Sequence, residues 1–277
     1  MATASADKTC KIWRTADLTV FKTLYGHTSA LCDCAWSSDS RSLVTAADDC
    51  LVHVWDLESG FCLMILAGHR APVLCCKYNV TNTLIVSASC DETVRLWDAS
   101  SGCCISVFPA HSDPVTSVQF SADSTTLLSS SYDGICRLWD VHTSRCLKSV
   151  DICLPVGSAT FTCNFQLILV TTLKVELQLW NIDFTTCIAR FTGYDHLCVS
   201  SLSKISFSFK DSAVAFAIVK EGAVYFWRKE ENRYVSKSER TFLGQKLDLT
   251  LLTYHGITST LITYSSSDCS ISLWQLA

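Results

Sequence analysis

Several features that mark other protein classes are scarce in this chain. Among 277 residues there are only four prolines and ten glycines, and only 17% of the residues are charged. No apolar run approaches the length of a membrane span, and no basic segment followed by an apolar stretch opens the chain. The sequence therefore predicts neither a membrane helix nor a secretory signal. A net charge of −4 also gives no basic footprint for direct contact with nucleic acid.

Motifs that carry chemistry are missing as well. There is no Gly-rich phosphate loop, and no Ser or Cys nucleophile has a dedicated base, so we expect no enzyme. The 17 cysteines contain no CxxC pair, which disfavours a zinc ribbon or a thioredoxin-type site. Without an export signal, the cysteines are expected to be reduced and to serve as small apolar residues. We predict no cofactor and no metal.

What the chain does have is a repeated tryptophan. Successive members are separated by 42, 42, 42, 41, 47 and 47 residues, and the set is Trp13, Trp55, Trp97, Trp139, Trp180, Trp227 and Trp274. A period in this range, with a Trp-Asp pair closing several units, is typical of β-propeller blades. One blade cannot bury its own apolar faces, so blades must stack on one another.

The unit from Gly26 to Ala67 reads as four short strands joined by polar turns: ALCDCAW, SLVTAA, LVHVW and FCLMIL. We therefore predict an all-β fold, a seven-bladed β-propeller in a single domain over 1–277. The first unit lacks its inner strand and the last stops after its third, so both are expected to be incomplete. The predicted blades are 1–25, 26–67, 68–109, 110–151, 152–192, 193–242 and 243–277.

Three units also share a polar quartet of a His, a Ser or Thr, an Asp and the repeat Trp. The spacing predicts that the Asp accepts from the His, the His reaches the hydroxyl, and the hydroxyl meets the indole N–H. A His beside an Asp also suggests acid–base catalysis, but three copies favour a structural clamp. The predicted clamps are His27, Thr45, Asp49 and Trp55; His69, Ser87, Asp91 and Trp97; and His111, Ser129, Asp133 and Trp139.

The quartet decays along the chain. The fifth unit keeps only Trp180, with Asp151, Val170 and Lys174 at the other places, and the sixth has Tyr194, Ala217 and Glu221 before Trp227. The seventh keeps Asp268 and Trp274 but has Gln245 and Tyr264. We expect the last three blades to depend more on apolar packing.

The segments SADK (5–8), AWSSDS (35–40), AHSDPV (110–115), SSSYDG (129–134) and CRLWD (136–140) carry a resemblance. The chain resembles the WD-repeat family, and within it the propeller scaffolds of SET-domain histone methyltransferase complexes. The resemblance is dense to about residue 150 and scattered beyond it, and the chain lacks the N-terminal segment of those scaffolds.

The resemblance implies a reader of arginine-containing peptides, because such scaffolds hold an arginine between two aromatic rings at the mouth of the central channel. The corresponding residues here are Ala6, Cys32, Asp48, Leu74, Thr116 and Tyr132. Leu74 replaces one of the two rings, and the other would fall near Leu202 to Lys204, where no aromatic occurs. For Asp48 and Tyr132, ordinary polarity of a propeller rim is the alternative interpretation.

The resemblance also implies a second partner face, matched here by Asn164 and Leu179, whereas Leu167, Ala189 and Glu230 replace its tyrosine, lysine and glutamine. The favoured reading is a non-catalytic, monomeric, nuclear scaffold, with or without a cytoplasmic pool. It would bind methyltransferase-complex subunits or histone tails, without direct contact to nucleic acid or membrane. The alternative is a diverged or truncated propeller that acts as a general adaptor, for example for ubiquitin ligation, or that has no function.

Overall fold

The structure, a computed structural model, describes residues 1–17, 19–162, 166–173 and 177–191 (Phe191 by its backbone only). After residue 191 it describes the backbone of nine further strands. All regular structure in these residues is β-strand, so the all-β prediction is confirmed. No helix that might cross a bilayer occurs in the described part of the chain. The chain divides into two compact units, Met1–Ile152 and Cys153–Ala277; the single domain over 1–277 stays a prediction.

The first unit contains four antiparallel sheets in which each strand pairs with its neighbour in the chain. The first sheet has three strands and the next three have four each. Their strands are β1 (Ala2–Ala4), β2 (Thr9–Trp13) and β3 (Val20–Tyr25); β4 (Leu31–Trp36), β5 (Ser42–Ala47), β6 (Leu51–Asp56) and β7 (Cys62–Ala67); β8 (Val73–Tyr78), β9 (Leu84–Ser89), β10 (Thr93–Asp98) and β11 (Cys104–Pro109); and β12 (Val115–Phe120), β13 (Thr126–Ser131), β14 (Ile135–Asp140) and β15 (Cys146–Asp151).

The second unit contains three further sheets of the blade type and one two-stranded ribbon, β23–β24. The last blade-type sheet, β26–β28, has three strands, as expected from the sequence. The strands are β16 (Val156–Phe161), β17 (Leu167–Thr172), β18 (Leu177–Asn181) and β19 (Cys187–Phe191); β20 (Phe207–Ser208), β21 (Val214–Val219), β22 (Ala223–Trp227) and β25 (Glu239–Phe242); β23 (Lys229–Glu230) and β24 (Arg233–Tyr234); and β26 (Leu249–His255), β27 (Thr260–Ser265) and β28 (Ser270–Gln275).

The sheets of the first unit, called blades 1 to 4 below, stack face to face. The inner strands of blades 2, 3 and 4 meet, since β4 contacts β8 and β8 contacts β12, and β1, the second strand of the incomplete blade 1, contacts β4. Each interface is an apolar cluster that contains the repeat tryptophan of the later blade: Trp55, Trp97 and Trp139 in turn. The tryptophans therefore recur at the interval at which each blade contributes a residue to the interface with the preceding blade. Because these apolar interfaces form between blades, one blade alone cannot bury its apolar faces.

The turn between the second and third strand of each of these blades contains a residue in the left-handed region. These residues are Lys8, Cys50, Glu92 and Gly134, with φ of 71°, 67°, 69° and 82°. Only blade 4 uses glycine, the residue that adopts this conformation without strain. The other three turns each connect two paired strands of one sheet, and in blades 2 and 3 the clamp described next also fixes the turn.

Candidate functional site

The polar quartets of blades 2, 3 and 4 have nearly identical geometry. The distance from His Nδ1 to Asp Oδ2 is 2.9 Å in all three. The distance from His Nε2 to the Thr or Ser Oγ is 2.8 Å in all three. The repeat Trp donates its indole N–H to the same hydroxyl over 2.8, 2.8 and 2.9 Å. The contacts expected from the residue spacing are therefore present in each of these blades.

Each quartet is a complete chain of donors and acceptors. With the His proton placed on Nδ1, the ring donates to the carboxylate, the hydroxyl donates to Nε2, and the indole N–H donates to the hydroxyl. In blade 4, Arg137 Nη1 also lies 2.8 Å from His111 Nδ1. The hydroxyl-bearing residues Thr45, Ser87 and Ser129 are fully buried. A His with both nitrogens engaged in a closed network has no free nitrogen for a substrate, so the arrangement acts as a structural clamp.

The Asp of each clamp also ties together two turns. In blade 3, Asp91 Oδ2 accepts the backbone N–H of Arg70 at 3.0 Å, and Oδ1 accepts the N–H and hydroxyl of Thr93 at 3.1 and 2.6 Å. Burial opposes ionisation of Asp91, but the hydrogen bonds from His69, Thr93 and Arg70 outweigh it and hold the pKa of this carboxyl well below its usual range. Asp49 and Asp133 have lowered pKa values for the same balance of reasons.

Partial clamps occur in two more blades. In blade 1, Trp13 donates to Thr3 Oγ1 at 2.9 Å, with the same separation of ten residues as in the full clamps. In the sheet β16–β19, where Val170 stands at the hydroxyl position, Trp180 donates instead to Gln178 Oε1 at 3.0 Å. Neither hydrogen bond was predicted from the sequence, although the spacing of Thr3 and Trp13 was a usable signal. The side chains predicted for the sixth and seventh units lie outside the described residues.

The residue two places before the repeat Trp lies beside the clamp and differs from blade to blade. In blade 4 this is Arg137, which donates to Ala110 O at 2.6 Å and lies 3.3 Å from Asp133 Oδ2. In blade 2 it is His53, which stacks on His27 with ring centroids 3.8 Å apart and planes 16° apart. Both ring nitrogens of His53 are buried without a hydrogen-bond partner. Blade 2 therefore has unpartnered polar atoms beside its clamp, whereas blade 4 has an additional hydrogen-bond donor there.

The six residues predicted for the peptide mouth fall into two columns at one edge of the first unit. Ala6, Asp48 and Tyr132 occupy the turn between the second and third strands; Cys32, Leu74 and Thr116 occupy the inner strands β4, β8 and β12. Members of a column differ by multiples of 42 residues, so they stand at one repeat position in successive blades. Backbone hydrogen bonds show this equivalence: Asp48 N–H donates to Ala30 O, and Tyr132 N–H donates to Pro114 O.

Asp48 and Tyr132 are the accessible polar members of this mouth. The Asp48 carboxylate is exposed and accepts the thiol of Cys32 at 3.1 Å. Tyr132 is partly exposed, and its phenol pKa is raised by burial and by the neighbouring Cys90 thiol. Cys90 fills the same turn position in blade 3, and its own pKa is raised by burial and then by Asp48 and Asp91. Cys90 thus lies between the two, and it was not among the residues predicted from the sequence.

The other mouth residues contribute less polar surface. Leu74 is partly exposed. Thr116 is only 5% exposed and its hydroxyl lies 2.9 Å from Ser130 Oγ and 3.1 Å from Ser130 O. It therefore supports the sheet rather than facing a ligand. The residues near 202–204, where a second aromatic ring was expected to be missing, lie outside the described side chains.

Of the two residues that match the second partner face, only Leu179 is described, and it is not exposed as a partner face requires. Leu179 is only 3% exposed. A buried leucine offers no surface to a partner. Asn164 lies outside the described residues. Leu167 and Ala189 are partly exposed, but neither carries the tyrosine or lysine of the related face.

Nothing in the described residues resembles a metal centre, since no group of three or more His, Cys, Asp or Glu side chains is placed to hold an ion. The histidines nearest to such a role are those of the clamps, and their nitrogens are already engaged.

Comparison with known families matches the part of the chain that carries the clamps. The WD domain, G-beta repeat family matches residues 18–56, 60–98 and 102–140. Each match starts before the outer strand of one blade and ends at the Trp-Asp pair of the next, so each repeat links two sheets. WD repeats generally form non-catalytic scaffolds for protein–protein interaction. Three consecutive segments between residues 18 and 140 are therefore similar to WD repeats.

Proposed function

We propose that the chain is a non-catalytic scaffold that binds an arginine-containing segment of another protein at the mouth formed by Asp48, Cys90, Tyr132 and Leu74. The observation that carries this proposal is the exposed Asp48 carboxylate, whose one described side-chain partner is a thiol. A thiol is a weak donor, whereas a guanidinium forms charge-assisted, bidentate hydrogen bonds with a carboxylate. An incoming arginine would therefore replace a weak contact with a strong one.

The surroundings of Asp48 support a guanidinium rather than an ammonium group. The phenol of Tyr132 and the backbone carbonyls of the turns provide additional acceptors for a planar, five-donor group. Leu74 gives an apolar wall without the electrostatic attraction of a ring face. We therefore expect measurable but weak binding.

The test is a calorimetric titration of the full chain with an arginine-bearing histone-tail or methyltransferase peptide. Asp48→Ala should weaken binding about tenfold or more, since a hydrogen bond to a charged group contributes about 1.5–3 kcal/mol. Leu74→Phe should strengthen it several-fold, because a ring face adds roughly 0.5–2 kcal/mol.

Asp39→Ala is the matched control, because it removes an exposed carboxylate from a turn at the opposite end of the strands. The control should bind like the wild type, and a peptide with lysine in place of arginine should bind less well. Equal or undetectable binding by wild type, Asp48→Ala and Leu74→Phe would remove the peptide-reader function and favour the general adaptor.

We further propose a nuclear setting, in a complex of the histone-methyltransferase type. The support for this is the resemblance over residues 5–8, 35–40 and 110–140. Affinity capture of the tagged chain from nuclear extract should recover methyltransferase-complex subunits, with the Asp48→Ala variant as the comparison. If the wild type recovered none of these subunits, the proposed place in a histone-methyltransferase-type complex would be contradicted.

A further inference from the structure

Apart from Val80, all the large exposed apolar side chains of the first unit lie on or beside the outer strands of the sheets. One position of the outer strand is apolar and 44–57% exposed in each of five successive sheets: Phe21, Leu63, Ile105, Leu147 and Ile188. A single exposed leucine or isoleucine per sheet is ordinary surface. Whether these positions belong to a contact surface therefore depends on the neighbouring side chains of each outer strand.

Blades 2 and 3 differ from the other sheets at these neighbouring positions. Two residues after the exposed row, the five outer strands have Thr23, Ile65, Val107, Ser149 and Arg190. Ile65 and Val107 are 56% and 45% exposed. Phe61, at the start of the outer strand of blade 2, is 74% exposed. From Gly60 to Gly68 the chain has no charged side chain, and the same is true from Gly102 to Ala110 in blade 3. Of these two outer edges, that of blade 2 has the larger and more exposed apolar side chains.

The outer edge of blade 2 also presents unpaired backbone. Strand β7 lies last in the order β4-β5-β6-β7, and no described strand pairs with its outer side. Exposed edges are usually protected by lysine, proline or a charged side chain. Strands β3 and β15 have Lys22 and Lys148, and β11 ends in Pro109, whereas β7 has none of these.

We propose that β7 pairs antiparallel with β7 of a second copy of this chain, around a two-fold axis at Met64. In this register Leu63 lies opposite Ile65 of the second copy, and Phe61 lies opposite Ala67, so that a large side chain meets a small one. Every opposed pair is uncharged. Large apolar cross-strand pairs of this kind stabilise antiparallel sheets.

The same symmetric pairing is disfavoured on the neighbouring blades that carry lysine. Met64 corresponds to Lys22 in β3 and to Lys148 in β15, and a two-fold axis there would place each lysine opposite itself. Like charges directly opposite each other destabilise a strand pair. Lysine thus disfavours this pairing on β3 and β15, and Pro109, which has no N–H to donate, disfavours it on β11; of the outer strands of blades 1 to 4, β7 has neither feature. The inferred dimer replaces the monomer expected from the sequence, and it does not depend on the peptide mouth.

Sedimentation equilibrium of the full chain over a concentration series tests this proposal. One six-residue strand per copy gives an interface below standard size, so we expect weak, concentration-dependent dimerisation. The wild type should approach twice its mass of 30.6 kDa at the highest concentrations. The double variants Leu63→Lys/Ile65→Lys and Leu63→Glu/Ile65→Glu should each raise the dimer dissociation constant by about tenfold or more.

A mixture of the two double variants gives the strongest test of the proposed pairing. An equimolar mixture should dimerise again, because lysines on one copy then face glutamates on the other. Recovery in the mixture also shows that both variants are folded. Leu147→Lys is the matched control, since Leu147 has the same repeat position in blade 4 and is 52% exposed; it should dimerise like the wild type.

Three results would overturn the proposal. The first is a wild type that keeps its monomer mass at every concentration, which would leave the β7 edge to a different protein. The second is a pair of charged double variants that dimerise as well as the wild type. The third is a mixture that stays monomeric although the wild type dimerises, because antiparallel β7 pairing requires the charges to meet.

Discussion

At the scale of single residues, His53 is the described side chain whose two polar atoms are both buried without a partner. It is 2% exposed and packs between His27 and Trp55, next to the clamp carboxylate of Asp49. Burial and then the adjacent His27 lower the pKa of His53 to about 4, from 6.5, while Asp49 opposes this shift. The folded chain therefore resists protonation of this ring.

This residue predicts acid sensitivity of the fold. Between pH 6.5 and pH 4 the unfolded chain protonates His53 and the folded chain does not, so the unfolded state binds more protons and stability falls as the pH falls. From pH 7 to pH 5 the contribution of His53 to the free energy of unfolding should decrease by up to about 2 kcal/mol. Urea unfolding at the two pH values, followed by tryptophan fluorescence, measures the decrease.

The chain supplies its own control for this experiment. His53→Gln introduces the residue that the sheet β16–β19 has at the equivalent position, Gln178, and it removes the titration. The variant should lose part of the pH dependence, while His142→Gln, at an exposed histidine, should keep all of it. His111, whose pKa is also lowered by burial, leaves a residual slope of the same sign in every variant. A slope unchanged by His53→Gln would contradict the prediction.

At the scale of the structural element, the clamp joins two strands and two turns of one blade through four side chains. Asp91 accepts hydrogen bonds from His69, Arg70 and Thr93, so it fixes the turn entering blade 3 and the turn before β10 together. The strands themselves contribute apolar faces to the interfaces between blades. The clamp thus holds the ends of each sheet, and the apolar clusters hold its faces.

Asp91→Ala should therefore be costly. It leaves buried donors of His69 and the turn without an acceptor, and we expect the free energy of unfolding to fall by about 1–3 kcal/mol. Asp113→Ala, which removes an exposed carboxylate from a neighbouring turn, should change it by less than about 0.5 kcal/mol. Thermal or urea denaturation of both variants at pH 7 gives the comparison. If the two losses were equal, the clamp would not be a main support of the blade.

At the scale of the whole molecule, the described cysteines range from buried to exposed. Cys76 and Cys136 are fully buried, and burial raises the pKa of both thiols, with smaller contributions from Asp33 and Asp133. Cys103, Cys104 and Cys146 are exposed. These differences in exposure make the cysteines internal reporters of the folded state, because the thiolate is the reactive form and needs access to solvent.

Brief alkylation of the native chain should therefore modify Cys103, Cys104 and Cys146 at least about tenfold faster than Cys76 and Cys136. Peptide mass spectrometry after a time course measures the rates, and the urea-unfolded chain, in which all sites should react at comparable rates, is the control. Fast native labelling of Cys136 would show that β14 is not buried between sheets as described.

Local sequence determined the repeating elements of this protein. The tryptophan period and the short apolar runs between polar turns located the strands of blade 2 to within about a residue, because strand and turn preferences act over a few neighbouring residues. The clamps were predictable for the same reason. His, Ser or Thr, Asp and Trp recur at fixed spacings, and a repeated spacing implies a repeated contact. Thr3 with Trp13 follows this rule too and was recoverable from the sequence alone.

Only the tertiary structure decided what each side chain faces. Leu179 and Thr116 were assigned to partner surfaces by resemblance, yet both are buried, because exposure depends on which sheet packs against which strand. The stacking of His53 on His27 and the position of Cys90 between Asp48 and Tyr132 involve residues brought together by the folding of blades. The uncharged edge of β7 is visible in the sequence as a run without charge. The sheet order is needed to show that no described strand pairs with the outer side of β7, which makes this run an unpaired edge.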